Sequence, residues 1–177
     1  KPSTRRDVMM ICYLYESTKS IMDIMVNGYD KLMGEIERRV NRDYDIELKE
    51  LKTSDGQTLI YDLYKPKLAS SSIKVPFVVV VPGFQRSKEA LSNIAIELSR
   101  RGYVVALIDP YAQGLSSSSL STRAATTQGY GMFALVEHVY DGAFNFVDID
   151  KIGATGHSMG GNAAIRGADF FGKQAIQ

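Results

Sequence analysis

The residues best suited to chemistry are Gly156-His157-Ser158-Met159-Gly160, a serine framed by a glycine two positions to either side. A serine hydroxyl becomes a useful nucleophile only when a base takes its proton and the backbone presents it in the open. The G-x-S-x-G spacing meets the second condition where a strand turns directly into a helix. The turn is so tight that side chains two positions from the serine would collide, and Gly156 and Gly160 remove them. The apolar stretch Ile152–Thr155 supplies the strand, and a helix is predicted from Met159 to Phe171. Attack on an acyl carbonyl also needs two donors for the oxyanion. The N–H of Met159, at the start of that helix, is one. The loop Pro82-Gly83-Phe84-Gln85-Arg86-Ser87 offers the other: Gly83 lets the backbone turn inward, which leaves the Phe84 N–H as the second donor.

These groups depend on the elements that carry them. Val75–Val81 (VPFVVVV) is apolar throughout, as in a strand covered on both faces. Apolar residues at helical spacing predict a helix over Ser87–Arg101, with Gly102 as its C-cap. Tyr103–Ile108 is a second buried strand and Ile152–Thr155 a third. A helix is predicted over Thr122–Val147, bent near Gly129–Gly131. The alternation of buried strands and helices requires a mainly parallel sheet with helices on both faces. Ahead of it, Tyr44–Lys52 and Thr58–Lys65 alternate apolar and polar residues around Asp55-Gly56, which predicts a hairpin. Residues 5–40 show helical spacing, so residues 1–42 are expected to form a helical extension and 43–177 the core. The extension would pack on the core or meet a membrane or partner.

Composition narrows the function classes. The 177 residues carry 21 Lys+Arg against 20 Asp+Glu, and no basic block gives a case for nucleic acid. A single cysteine, Cys12, and only two histidines argue against a disulfide framework or a metal cage, and no organic cofactor is implied. No apolar run reaches the roughly 18 residues of a membrane span. The chain opens on Lys1 without a signal-peptide pattern. Cytoplasmic is therefore the default expectation; an anchored or extracellular location would follow if an upstream segment had been removed.

With VVVVPGF, GYVVALIDPYAQGLS and DKIGATGHSMGG in this order, residues 44–177 resemble the α/β-hydrolase family. Asp148–Gly161 is similar to its dienelactone-hydrolase-like and acyl-peptidase-like branches. The resemblance implies an ester hydrolase with Ser158 as nucleophile, Phe84 and Met159 as the oxyanion hole, and a small-molecule ester as substrate. Pro82 stands where many members have histidine, and Ala112 where a glycine often sits. Gln85, Tyr111 and the serine-rich loop after Asp109 could line part of the pocket. Arg86 reads first as a surface ion-pair residue and second as a contact for an anionic substrate.

The family order is Ser, acid, His, yet Asp169 and no histidine follow Ser158. The expectation is an amino-terminal portion whose acid and base lie outside this chain, inactive alone and open to self-association through its sheet edge. Residues within the chain fill the gap poorly. His157 points away from its neighbour's hydroxyl, and His138 reads as a surface residue. Asp148 and Asp150 sit at the far end of the nucleophile strand, about 20 Å away at about 3.3 Å per residue. Asp109 reads as a brace for its own loop before a triad acid. The alternative is a non-catalytic binding or structural module of the same fold. A nucleotide loop starting at Gly153-Ala154-Thr155-Gly156 would need glycine where Met159 stands. A phosphate loop would need lysine where Asn162 stands.

Overall fold

The computed structural model describes residues 43–54, 56–117 and 129–174. The extension expected over residues 1–42 lies outside the described residues.

The leading hairpin forms as the alternation predicts. β1 (Tyr44–Lys52) and β2 (Thr58–Pro66) pair antiparallel, with Lys52 opposite Thr58 beside the turn. Gly56 in that turn has φ +79°, a conformation that glycine adopts without a Cβ clash. With β3 (Val75–Val81), β4 (Val104–Asp109) and β5 (Val147–Gly156) the hairpin forms, among the described residues, a sheet of five strands in the order β1-β2-β4-β3-β5. β2 meets β4 antiparallel, whereas β4, β3 and β5 run parallel.

Side chains alternate between the two faces of the sheet. Phe77, Val79 and Val81 of β3, and Val104, Ala106 and Ile108 of β4, face one core. Two helices cover it: α2 (Met132–Tyr140), through Met132, Leu135, Val136 and Val139, and α3 (Met159–Gln174), through Ala163. Val80, Val105 and Leu107 face the other side, under Ala95 and Ile96 of α1 (Ser92–Arg100). Each of these large apolar side chains contributes about 1.5–3 kcal/mol on burial. The three layers are thus fixed by period-two patterning in strands that are apolar on both faces.

Several expectations need correction. The predicted helix over Ser87–Arg101 is a 3₁₀ turn, Lys88–Leu91, followed by α1. The helix expected over Thr122–Val147 is described from residue 129 and is shorter. Gly129, Tyr130 and Gly131 have φ of 59°, 57° and 98°, so the chain is broken there rather than bent, and α2 begins at Met132. It ends at Tyr140, before Gly142 at φ 86°, and Phe144 and Phe146 stack on each other in the connection to β5.

β5 starts five residues earlier than Ile152 and is not the doubly covered strand its apolar residues suggested. Among the described residues it pairs only with β3 and is outermost, and Gly153 and Ala154 are exposed. β1 is the other outer strand. Its dry face fades from Tyr44, which is buried, to Leu48, which is exposed.

Candidate active site

The site lies at the carboxyl ends of β3 and β5. The chain leaves β3 for β4 on one side and later returns to β5 on the other. Loops therefore diverge at this point and leave a crevice, the place where open α/β sheets bind ligands. The parallel register sets Val81 beside Gly156, and the His157 N–H donates to the Val81 carbonyl at 3.2 Å.

Ser158 is exposed and has φ +53°, the left-handed region that costs an L residue about 1–2 kcal/mol. The glycines around it answer to close backbone contacts. A Cβ on Gly156 would fall 2.6 Å from the Gly160 carbonyl carbon, and one on Gly160 would fall 2.8 Å from the Pro82 carbonyl oxygen. α3 starts at Met159, so its first N–H groups sit at the crevice with the positive end of the helix dipole.

Opposite the serine, residues 83–86 form a reverse turn closed by the Arg86 N–H on the Gly83 carbonyl at 3.2 Å. Gly83 faces the elbow directly: a Cβ there would lie 3.5 Å from Ser158 Cβ and 3.0 Å from His157 Nδ1. The Phe84 side chain is 69% exposed and Gln85, also exposed, has φ +58°. The Phe84 and Met159 N–H groups make no hydrogen bond among the described residues.

The loop after β4 braces this turn. Asp109 is buried; its carboxylate accepts from the Lys88 N–H at 2.7 Å and the Leu115 N–H at 2.9 Å. Burial raises its pKa, and the two N–H groups together with the Lys88 charge oppose the rise. A side chain at Gly114 would overlap that carboxylate, which explains the glycine five positions after the aspartate. Of the serine-rich loop expected to line part of a pocket, the two described serines, Ser116 and Ser117, have structural partners. Ser116 Oγ donates to the Asp109 carbonyl and accepts from the Ile60 N–H, and Ser117 Oγ accepts from the Thr58 N–H. They extend the edge of β2 past the end of β4. Tyr111 is buried and its hydroxyl donates to Thr53 Oγ1 at 3.1 Å.

Sequence reasoning did not single out Lys88. It is only 4% exposed, and its ammonium lies 2.9 Å from Glu89 and 3.5 Å from Asp62. Burial alone would lower its pKa; the Glu89 and Asp62 carboxylates outweigh it and raise the value. Asp62 is pushed up by burial, with Lys88 opposing. Glu89 goes the other way: burial would raise it, yet hydrogen bonds from Ser87 and Lys88 bring it down to about 2. No local pattern marks this cluster, because its members come from β2, the 3₁₀ turn and the end of β4.

The remaining candidates lie apart from one another. His157 is exposed on the elbow, and His138 is half-buried with its ring edge-on to Phe144. Asp148 is at the opposite end of β5, ion-paired to Lys151. No cluster of three metal-ligating side chains occurs among the described residues, and none of the described helices is long and apolar enough to cross a membrane.

A sheet with two divergent parallel loops, one carrying a strained serine between strand and helix, defines an α/β-hydrolase core. The chain belongs to the PET hydrolase-like (PETase) family, which it matches over residues 46–174. Among solved structures, it resembles DcsB bound to a substrate analogue, at 26% identity and a TM-score of 0.59 over 70% of this chain. It resembles the α/β-hydrolase GrgF from Penicillium sp. sh18, at 26% identity and a TM-score of 0.58 over 71%. It also shares its fold with the Pyrococcus furiosus esterase Pf2001, at 23% identity and a TM-score of 0.58 over 72%. The chain spans 41%, 42% and 48% of those three chains. No curated protein sequence matches it.

Proposed function

We propose that the parent protein is a serine hydrolase of carboxylic esters. Ser158 Oγ attacks the acyl carbonyl while a histidine from outside this chain, oriented by an acid also outside it, takes the hydroxyl proton. The carbonyl oxygen becomes an oxyanion between the Phe84 and Met159 N–H groups. When the tetrahedral intermediate collapses, the C–O bond to the alcohol breaks, and the histidine returns its proton to the departing oxygen. Water, deprotonated by the same histidine, then attacks the acyl-serine and releases the acid.

The observation that carries this reading is the exposed Ser158 at φ +53°, with the glycine of the facing turn 3.5 Å from its Cβ by way of an added methyl. Such strain persists only where the surroundings over-determine it. Membership of a family named for an ester hydrolase supports the reaction class. The substrate of this reading is a small-molecule ester. Of the two side chains expected to line the pocket, Gln85 is exposed beside Phe84, whereas Tyr111 is buried.

The test is hydrolysis of p-nitrophenyl acyl esters by the full-length parent protein. Turnover should fall to background in Ser158→Ala with folding unchanged. Equal turnover in Ser158→Ala would refute the assignment.

A further inference from the structure

We propose that Gln113 is the positioning residue of the oxyanion turn, a role that rests on the hydrolase reading above. An oxyanion donor stabilises a transition state only if it is already aimed when charge develops, and removing one costs about 10²–10³ in kcat. The Phe84 N–H stands in a surface turn, the kind of segment that moves most readily. The turn's closing bond, Arg86 N–H to Gly83 carbonyl, is 3.2 Å, and Gln85 holds φ +58° without being glycine. An L residue there is about 1–2 kcal/mol above its usual conformations, so something outside the turn must hold it.

The Gln113 carboxamide does so with both ends. Its Oε1 accepts from the Gln85 N–H at 2.7 Å. Its Nε2 donates to the Gly83 carbonyl at 3.1 Å and to the Arg86 carbonyl at 2.8 Å. These three bonds bracket Phe84 on each side. Only a primary amide carries an acceptor and two donors on one planar group, so neither a carboxylate nor an ammonium could replace it.

Gln113 is itself fixed. Its N–H donates to the Pro110 carbonyl at 2.9 Å, and its carbonyl accepts from the Ser116 N–H at 3.2 Å. Its neighbours Ala112 and Gly114 have φ of 61° and 55°, which turns the side chain back across the crevice. Asp109 makes a second tie between the same loops, at the Lys88 N–H two residues beyond the turn. The loop after β4 therefore grips the loop after β3 at two points, and Gln113 is the grip on the donor-bearing residues.

The experiment uses the full-length protein with Gln113→Ala and the isosteric Gln113→Glu. The Glu side chain keeps an acceptor but, when ionised, sets oxygen against the Gly83 and Arg86 carbonyls. The expected result is a kcat for ester hydrolysis at least about 10-fold lower with KM within about 3-fold, the split of an interaction made in the transition state. Amide hydrogen exchange at residues 85 and 86, whose N–H groups are bonded, should quicken in both variants while exchange in β3 and β4 stays the same. Unchanged kcat and unchanged exchange overturn the proposal. So does a rise in KM equal to the fall in kcat, or faster exchange throughout the sheet, since each marks a merely structural residue. If Gln113→Ala does not fold, Gln113→Glu alone decides between these outcomes. If the unmutated protein hydrolyses no ester, the hydrolase reading fails, and exchange at residues 85 and 86 still reports whether Gln113 holds the turn.

Discussion

Gly160 packs its Cα against the carbonyl group of Val81, so closely that a methyl added there would stand 2.6 Å from the Val81 carbonyl carbon. That contact is why the first turn of α3 can sit over the end of β3. It also makes the serine motif a packing requirement as much as a chemical one. Gly160→Ala should force α3 away from β3 and lower stability by about 1–3 kcal/mol, the usual penalty for overpacking. It should abolish reaction at Ser158 even where the protein still folds. Thermal unfolding and probe labelling of the same sample read both effects.

The serine itself is strained. Ser158→Gly should stabilise the protein by up to about 1 kcal/mol, because φ +53° suits glycine, offset in part by the greater freedom of the unfolded chain. Ser158→Ala, which keeps the Cβ, should leave stability near the starting value. Urea midpoints for the three proteins test the ordering, and a Ser158→Gly protein less stable than Ser158→Ala would contradict it.

Lys88 lies among carboxylates that would otherwise repel one another. Lys88→Met leaves the half-buried Asp62 and Glu89 and the buried Asp109 without their cation. Loss of one partner from such a cluster costs about 3–5 kcal/mol. The fall should be largely recovered in Lys88→Met combined with Asp62→Asn, measured by calorimetry.

Acid should unfold the protein partly through Glu89. Its pKa is depressed to about 2 in the folded state, so the folded state favours its ionised form. Glu89 therefore adds stability above its ordinary value of 4.5, and that stability is lost as pH falls from there toward 2. Asp62 and Asp109 are raised by burial, so their protonation favours the folded state and acts in the opposite direction over the carboxylate range. Glu89→Gln should be less stable than wild type at about pH 6 and lose less on acidification to about pH 3, as read from urea midpoints.

Much of this site was legible in the sequence because its rules are local. Gly156 and Gly160 flank Ser158 for steric reasons that operate within five residues, and VPFVVVV announces a strand with two dry faces. Gln85, Gln113 and Lys88 follow no such rule. Gln113 reaches across 30 residues to the Gly83 carbonyl, and Lys88 meets Asp62 from another strand, so neither role has a spacing that could reveal it. The connection between β4 and β5 misled for a physical reason. Apolar residues at helical spacing run on through Phe144, but Gly142 at φ 86° ends the helix, and the aromatics that follow pack as a loop. β5 has the composition of a covered strand and is outermost among the described residues.

The most direct measurement is the position of a covalent adduct. The full-length protein, treated with a fluorophosphonate, digested and analysed by mass spectrometry, should carry the phosphonyl group on Ser158. Substitution of Ser158 by alanine should remove the adduct without creating another. An adduct on a different residue, or an unlabelled serine in a folded full-length protein, would contradict the account.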